Sequence, residues 1–465
     1  MVISLKENRK NKKKAEEKKH RLAEGLEILD LESEAEKSKL PNRKKLIKKS
    51  DENRIKNKEY FRITYMFAAI FGCMILYFVY FNAFKSEDVI NSPYNSRQDT
   101  FADRVIRGNI YSSDGELLAA SDTDEDGIET RRYPHANMFA HVIGYDTHGK
   151  TGVESIANFH LLTSHAFFGE RIMKELREEK NIGDNVYTTL DFELQKAAYD
   201  ALGNKKGAVI VMEPETGKVL AMVSKPDYDP NMVKDNWETL LESQASQLLN
   251  RATQGQYTPG SVFKIVTALE YIREHSDYNA FHYECNGSAT NGNYTIHCYK
   301  NNQHGSEDFA KAFAKSCNAA FAQIGLDMDR GSFQETCSDL LFNEQLPISI
   351  PFTNSSMTLT DEDMSSIAMM TAMGQGETLV SPMHMALITS AISNGGVLMK
   401  PYLVDHVENY VGDSVKKYTP EAYGKLMSAE EADILTTLME GVVTDGTASA
   451  LKGQNYTAAG KTGTA

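Results

Sequence analysis

Three short groups of residues in this chain could do chemistry together. Ser261 and Lys264 lie in TPGSVFK, where Pro259 and Gly260 break the chain and helical apolar spacing starts at Val262. That spacing puts Ser261 at a helix N-terminus and Lys264 one turn later on the same face. A serine hydroxyl becomes a useful nucleophile when a neighbouring base accepts its proton. A lysine can be that base if burial or nearby positive charge lowers its pKa. The helix start also offers backbone N–H groups to an oxyanion. Taken alone, Ser-x-x-Lys is read more simply as a capping serine and an exposed lysine.

The second group is Ser316-Cys317-Asn318, which alone reads as a helix end with local hydrogen bonds. Beside the first group it gains a role: a second hydroxyl that relays protons, and an amide that orients Lys264 and a substrate peptide group. The third is Lys461-Thr462-Gly463 in a β-prone segment. A strand lining a cleft would set Lys461 and Thr462 against a substrate carboxylate, while Gly463 lets a substrate backbone approach. The N–H of Thr464 would complete an oxyanion hole with that of Ser261. The groups follow one another at 55 and then 145 positions, and their joint occurrence says much more than any one of them.

The elements needed to hold these groups can be read from the pattern. GAVIVMEPETGKVLAMVS predicts an antiparallel hairpin. Helical spacing follows over residues 262–273, 306–325, 365–372, 382–393 and 429–443, and GKTGTA is expected to return as a strand. The fold class is α+β: an antiparallel sheet flanked by helices over residues 206–465, with the C-terminal part of that sheet expected to be missing beyond residue 465. Residues 85–205 read as a small α+β pedestal, opening with a strand, an Asp-Gly turn and a strand in RGNIYSSDGELLAAS.

Charge divides the chain. The 465 residues carry a net −14, yet residues 1–60 carry about +7, which leaves about −21 for the rest. Residues 63–84 hold no formal charge and are long enough to span a bilayer as a helix. The basic run before them puts residues 1–62 in the cytoplasm as a Lys/Glu-rich tail and everything after residue 84 outside. A single-pass anchor in the cell membrane is therefore expected, not a cleaved signal peptide. The basic tail is explained by its place beside the span, so no nucleic-acid partner is expected. Among five cysteines, Cys285 and Cys298 flank an Asn-Gly turn and could form a disulfide or remain free thiols. The 12 histidines contain no His-x-x-x-His or His-Glu-x-x-His pair, so no metal site and no cofactor is expected.

The Ser-x-x-Lys, Ser-x-Asn, Lys-Thr-Gly trio is a known signature of penicillin-binding proteins and serine β-lactamases. From the span to residue 465 the chain resembles the class B penicillin-binding proteins, the monofunctional transpeptidases. RGNIYSSDGELLA, RRYPHANMFAHVIGY, TGVES, NVYTTLDFELQ, NRATQGQYTPGSVFK, GQGETLVSPMHMA and SNGGVLMKP carry the likeness. The resemblance implies Ser261 as acylated nucleophile, Lys264 as base, and Ser316 with Asn318 as relay and positioning groups. Lys461, Thr462 and Thr464 would hold a carboxylate. It also implies stem peptides ending in D-Ala-D-Ala as substrate, β-lactams as inhibitors, and a separate polytopic membrane glycosyltransferase as partner. Val262 stands where threonine is commoner and is expected to point away from the cleft. The rival readings are a β-lactamase or D,D-carboxypeptidase, in which water replaces the acceptor amine, and a non-catalytic antibiotic sensor.

Overall fold

The structure is a computed structural model that describes residues 43–81, 104–124 and 128–464. Contacts divide the chain into Met1–Glu87 and Asp88–Ala465. In the first unit, helix α1 (Arg43–Tyr80) carries the apolar run. Its portion Tyr60–Tyr80 is 21 residues long with mean hydropathy 1.9 and none of it buried, which is long and apolar enough to cross a membrane. Residues 1–42 of the expected tail, residues 82–84 of the expected span and residues 85–103 of the expected pedestal lie outside the described residues.

The first large sheet of the second unit holds strands β1 (Ile110–Tyr111), β2 (Leu117–Thr123), β3 (Glu129–Arg132) and β4 (Asn185–Thr188). Gly115 turns β1 into β2 at φ +86°, as the Asp-Gly signal requires. A buried ion cluster ties this sheet to the helical segment Gly152–Ile156. Arg107 Nε donates to Glu154 Oε2 at 2.6 Å and Arg131 Nε to Oε1 at 2.7 Å. Burial alone would raise the Glu154 pKa, but the two guanidiniums overcome it and hold the carboxyl below its usual range.

Asp191 caps α2 (Phe192–Leu202) by accepting from Leu194 N at 2.8 Å. The antiparallel hairpin follows as β5 (Gly207–Glu213) and β6 (Lys218–Lys225). Helix α3 (Lys264–Glu274) is buried at every position from Lys264 to Glu270, so it is a core helix wrapped on nearly all sides. Next, β7 (Tyr283–Cys285) and β10 (Gly305–Glu307) pair around a small hairpin of β8 (Ser288–Asn291) and β9 (Tyr294–His297). The chain continues through α4 (Phe309–Ala314), α5 (Asn318–Asp327), α6 (Ser365–Ala372) and α7 (Pro382–Ser393). Strands β11 (Val404–Glu408) and β12 (Ser414–Lys417) precede α8 (Ala429–Thr444).

Three observations refine the expected architecture. The first sheet runs β12-β11-β4-β1-β2-β3, so residues 404–417 complete a sheet begun before residue 190. The helix expected over 306–325 is two helices with a turn between them, and that turn is part of the candidate site. The strand expected at GKTGTA is absent: no described strand pairs with residues 460–464, and Gly460 N bonds instead to Met439 O of α8 at 3.1 Å. A β-prone segment without a neighbour in register does not form a ladder.

Candidate active site

Ser261 lies in a single 3-10 turn, Gly260–Phe263, that leads into α3. Gly260 has φ +54° and donates its N–H to Gly374 O at 2.8 Å. Gly374, just past α6, has φ +73°, and a Cβ there would fall 2.2 Å from Gly260 O and 2.4 Å from Phe263 Cβ. Only glycine allows this contact, and it fixes the turn that presents Ser261. Ser261 is half-buried at the end of the helix, while Lys264 is fully buried behind it.

The second group sits at the end of α4. Cys317 N bonds to Ala312 O at 2.9 Å and Ser316 N to Phe313 O at 3.0 Å. These are the two bonds of a Schellman cap, whose left-handed residue is usually glycine. Here Ser316 takes that place at φ +57°, at a cost of roughly 1–2 kcal/mol. The reversal aims both its carbonyl and its hydroxyl at the core. Cys317 then caps α5, its Sγ accepting from Ala320 N at 3.4 Å.

Four polar groups meet there. Lys264 Nζ donates to Ser316 O and to Asn318 Oδ1, both at 2.8 Å, and reaches Ser316 Oγ at 3.4 Å. Asn318 Nδ2 donates to His297 O at 3.0 Å, which fixes the amide so that its oxygen faces the lysine. Lys461 Nζ donates to Ser316 Oγ at 2.8 Å. The Ser316 hydroxyl therefore lies between two amines.

Electrostatics set these amines apart from ordinary lysines. Burial, then the charge of Lys461, lowers the Lys264 pKa to about 7. Burial lowers that of Lys461 to about 8. A neutral Lys264 has two N–H bonds, enough for Ser316 O and Asn318 Oδ1, and a lone pair left to take a proton.

The last segment passes close to the serine turn. A Cβ on Gly463 would lie 2.9 Å from Val262 Cγ1 and 3.5 Å from Pro259 O. Val262 thus packs against the Lys-Thr-Gly segment, which crosses directly over the turn. Thr462 Oγ1 shares a hydrogen bond with Thr447 Oγ1 at 2.5 Å. Thr462, Gly463 and Thr464 are exposed, so the groove is open to solvent beside Ser261.

Comparison with known proteins shows the family. The family described as "Penicillin binding protein transpeptidase domain" matches residues 207–465, more than half of the chain. The chain belongs to the penicillin-binding protein transpeptidases. Residues 107–186 match the family "Penicillin binding protein A dimerisation domain". The peptidoglycan D,D-transpeptidase PbpA of Mycolicibacterium smegmatis is 31% identical over 365 residues, covering 72% of each chain. The D,D-transpeptidase domain of a peptidoglycan glycosyltransferase from Eggerthella lenta superposes with a TM-score of 0.70 at 31% identity, over 78% of this chain and 87% of that one. Penicillin-binding protein A of M. tuberculosis, solved as its imipenem acyl-enzyme, gives 0.66 at 27% identity over 73% and 82%.

Within this penicillin-binding protein, motif spacing missed several residues that serve the site. Gly374 shapes the serine turn and Thr447 holds Thr462. The rings of Phe321 and Phe313 lie 5.1 Å and 5.9 Å from the amines of Lys264 and Lys461. Cys285, Cys298, His304 and Cys317 converge, with their donor atoms all within 4.8 Å of one another. Paired-histidine spacing could not reveal this cluster because its four members lie on separate segments. Cys285 and Cys298 are free thiols 3.7 Å apart, not a disulfide.

Proposed function

We propose that this chain is a serine D,D-transpeptidase of peptidoglycan. The observation that carries the reading is the buried, pKa-lowered Lys264 amine held between Ser316 and Asn318, one turn behind Ser261. The carboxylate of a stem peptide ending in D-Ala-D-Ala is held by the Lys461 ammonium with the hydroxyls of Thr462 and Thr464. Ser261 Oγ attacks the penultimate carbonyl and Lys264 takes its proton. The oxyanion is met by the N–H groups of Ser261 and Thr464. The terminal D-Ala leaves as an amine, its proton delivered through Ser316, whose hydroxyl touches both lysines. A neighbouring stem amine then attacks the ester, gives its proton back along the same relay, and frees Ser261. A β-lactam follows the first half of this path, and its ring-opened acyl group stays on the serine.

The apolar helix Tyr60–Tyr80 supports a single-pass anchor with the catalytic unit outside the cell. One experiment tests chemistry and placement together: a membrane-impermeant fluorescent penicillin applied to intact cells and to detergent-solubilised full-length protein. We expect one persistent adduct on the Ser261 peptide in both. Release within seconds would make the chain a β-lactamase. Labelling only after solubilisation would overturn the orientation. No adduct in either would overturn the function.

The transpeptidase adds no sugars in this reading, so its glycan strands come from a separate polytopic membrane glycosyltransferase. Residues 85–205 leave about 120 positions between span and hairpin, which by analogy with bifunctional members of the family is too few for a glycosyltransferase domain. Such a protein should co-purify with the full chain from mild detergent, and its consistent absence after cross-linking would count against the pairing.

A further inference from the structure

The pedestal carries an exposed apolar stripe that the acyl-transfer chemistry does not use. In the helix Phe168–Leu176, Phe168, Ile172 and Leu176 recur at intervals of four and Met173 lies beside them, so all four share one side. They are exposed by 71%, 38%, 74% and 49%, and Phe167, just before the helix, by 80%. The opposite side is the fastened one. Tyr410 donates its hydroxyl to Glu170, and Lys174 Nζ lies 3.4 Å from Glu170 Oε1 and 4.8 Å from the Tyr410 ring centre. The helix is thus held by its polar side, with the stripe turned outward. Nine residues make a marginal helix in water, and none of its described side chains is buried. An apolar face of this kind marks a surface that something covers.

Position along the chain selects the cover. Just after the helix, the strand Asn181–Ile182 pairs in parallel with Val105–Ile106, and Asn181 N bonds to Arg104 O at 3.1 Å. Val105–Ile106 is the first described strand after the apolar helix Tyr60–Tyr80, and only residues 82–103 lie between the described parts. The stripe therefore sits beside the point where the chain coming from the span enters the pedestal. Charge fits as well. Arg171 and Arg177 border the stripe, one on either side by helical position, and Arg177 N still bonds to Met173 O at 3.2 Å. Phenylalanine and leucine on one face with arginines at its borders is the composition of a helix that lies in a membrane interface.

We infer that the Phe168–Leu176 helix lies on the lipid surface, its apolar stripe among the acyl chains and Arg171 and Arg177 at lipid phosphates. This rests on the single-pass anchor of the proposed function and adds a second membrane contact to it. A span alone fixes one point of the chain in the bilayer. A second contact in the pedestal sets the tilt of the catalytic unit over the membrane, which one contact does not.

Vesicles of phosphatidylcholine and phosphatidylglycerol, brominated near the headgroup, test this on the full-length chain reconstituted without any other protein. Trp237 is the only tryptophan in the sequence, so wild type supplies the background and Phe168→Trp places a reporter in the stripe. That reporter should lose about half of its emission or more relative to unbrominated vesicles, because such a helix sinks ~5–10 Å into the headgroup–acyl boundary. Met364→Trp, at a position 71% exposed just before α6, should keep its emission. Equal quenching of the two reporters, or none of the Phe168→Trp reporter, would overturn the docking. Leu176→Cys chains that cross-link to one another on the vesicle, with the Phe168→Trp reporter still bright, would give the stripe to a second copy instead. Flotation of the same samples separates the two readings. Protein that does not float with the vesicles lacks the anchor, and the docking falls with it. Protein that floats and is acylated by penicillin, yet shows no quenching in the stripe, keeps the anchor and loses the docking.

Discussion

Replacing Lys264 by methionine is expected to slow acylation by a fluorescent penicillin by about 10²–10⁴-fold, the range for loss of a positioned general base. Methionine fills much of the same volume, so the core around α3 should survive. Without the amine, the Ser261 proton has no buried acceptor. The pH profile separates this cause from a packing defect. The neutral fraction of Lys264 rises with pH through about 7, so wild-type acylation should climb there. Lys461 loses its charge through about 8, and with it the grip on the substrate carboxylate, so the rate should fall above that value. The maximum belongs between the two, and the methionine chain should lose the rising limb. A substituted chain that acylates within about tenfold of wild type, or a wild-type rate flat across neutral pH, would remove Lys264 from the role of base.

How much of this was legible beforehand depends on where each instruction lies. The helices α6 and α7 were readable to the residue because their signals are local: apolar spacing in both, and for α7 Ser381 as cap with Pro382 in the first turn. The start of α8 is similarly written in Ser428 and Glu431, which form a reciprocal capping box. The break between α4 and α5 was not legible, because a Schellman cap announces itself by glycine and here the left-handed residue is Ser316. Chemistry requires a hydroxyl at that point, so the local signal was sacrificed where the site needed it. Long-range pairings left even less trace. Nothing in residues 404–417 says that they will join β4, and nothing in Arg107 or in Glu154 alone says that they will meet. The candidate site residues themselves were legible because their types and order constrain one another. The cluster of Cys285, Cys298, His304 and Cys317 was not, since each of its members is unremarkable until the fold closes around it.

The two glycines of Gly374-Gln375-Gly376 allow steric closeness to be separated from backbone strain at the nucleophile. Both have nearly the same φ, +73° and +74°, so alanine at either position carries a left-handed penalty of roughly 1–2 kcal/mol. Their surroundings differ. A Cβ on Gly376 would find its nearest atom, Met370 Cβ, at 3.8 Å, ordinary contact. A Cβ on Gly374 would overlap Gly260 O and Phe263 Cβ, neither of which is the far end of a flexible side chain. Gly374→Ala must therefore push the Gly260–Phe263 turn away and move Ser261 with it. A displacement near 1 Å at the reacting atom costs on the order of 10²-fold in rate, and overpacking adds about 1–3 kcal/mol to the loss of stability. Gly376→Ala should melt slightly earlier than wild type yet acylate at nearly the same rate. Acylation rates measured on the folded fraction of each chain, beside their melting temperatures, give the comparison. If Gly374→Ala lowered stability but left the acylation rate intact, the Gly374 contact would be ordinary packing, and the positioning of Ser261 would have to come from α3 alone.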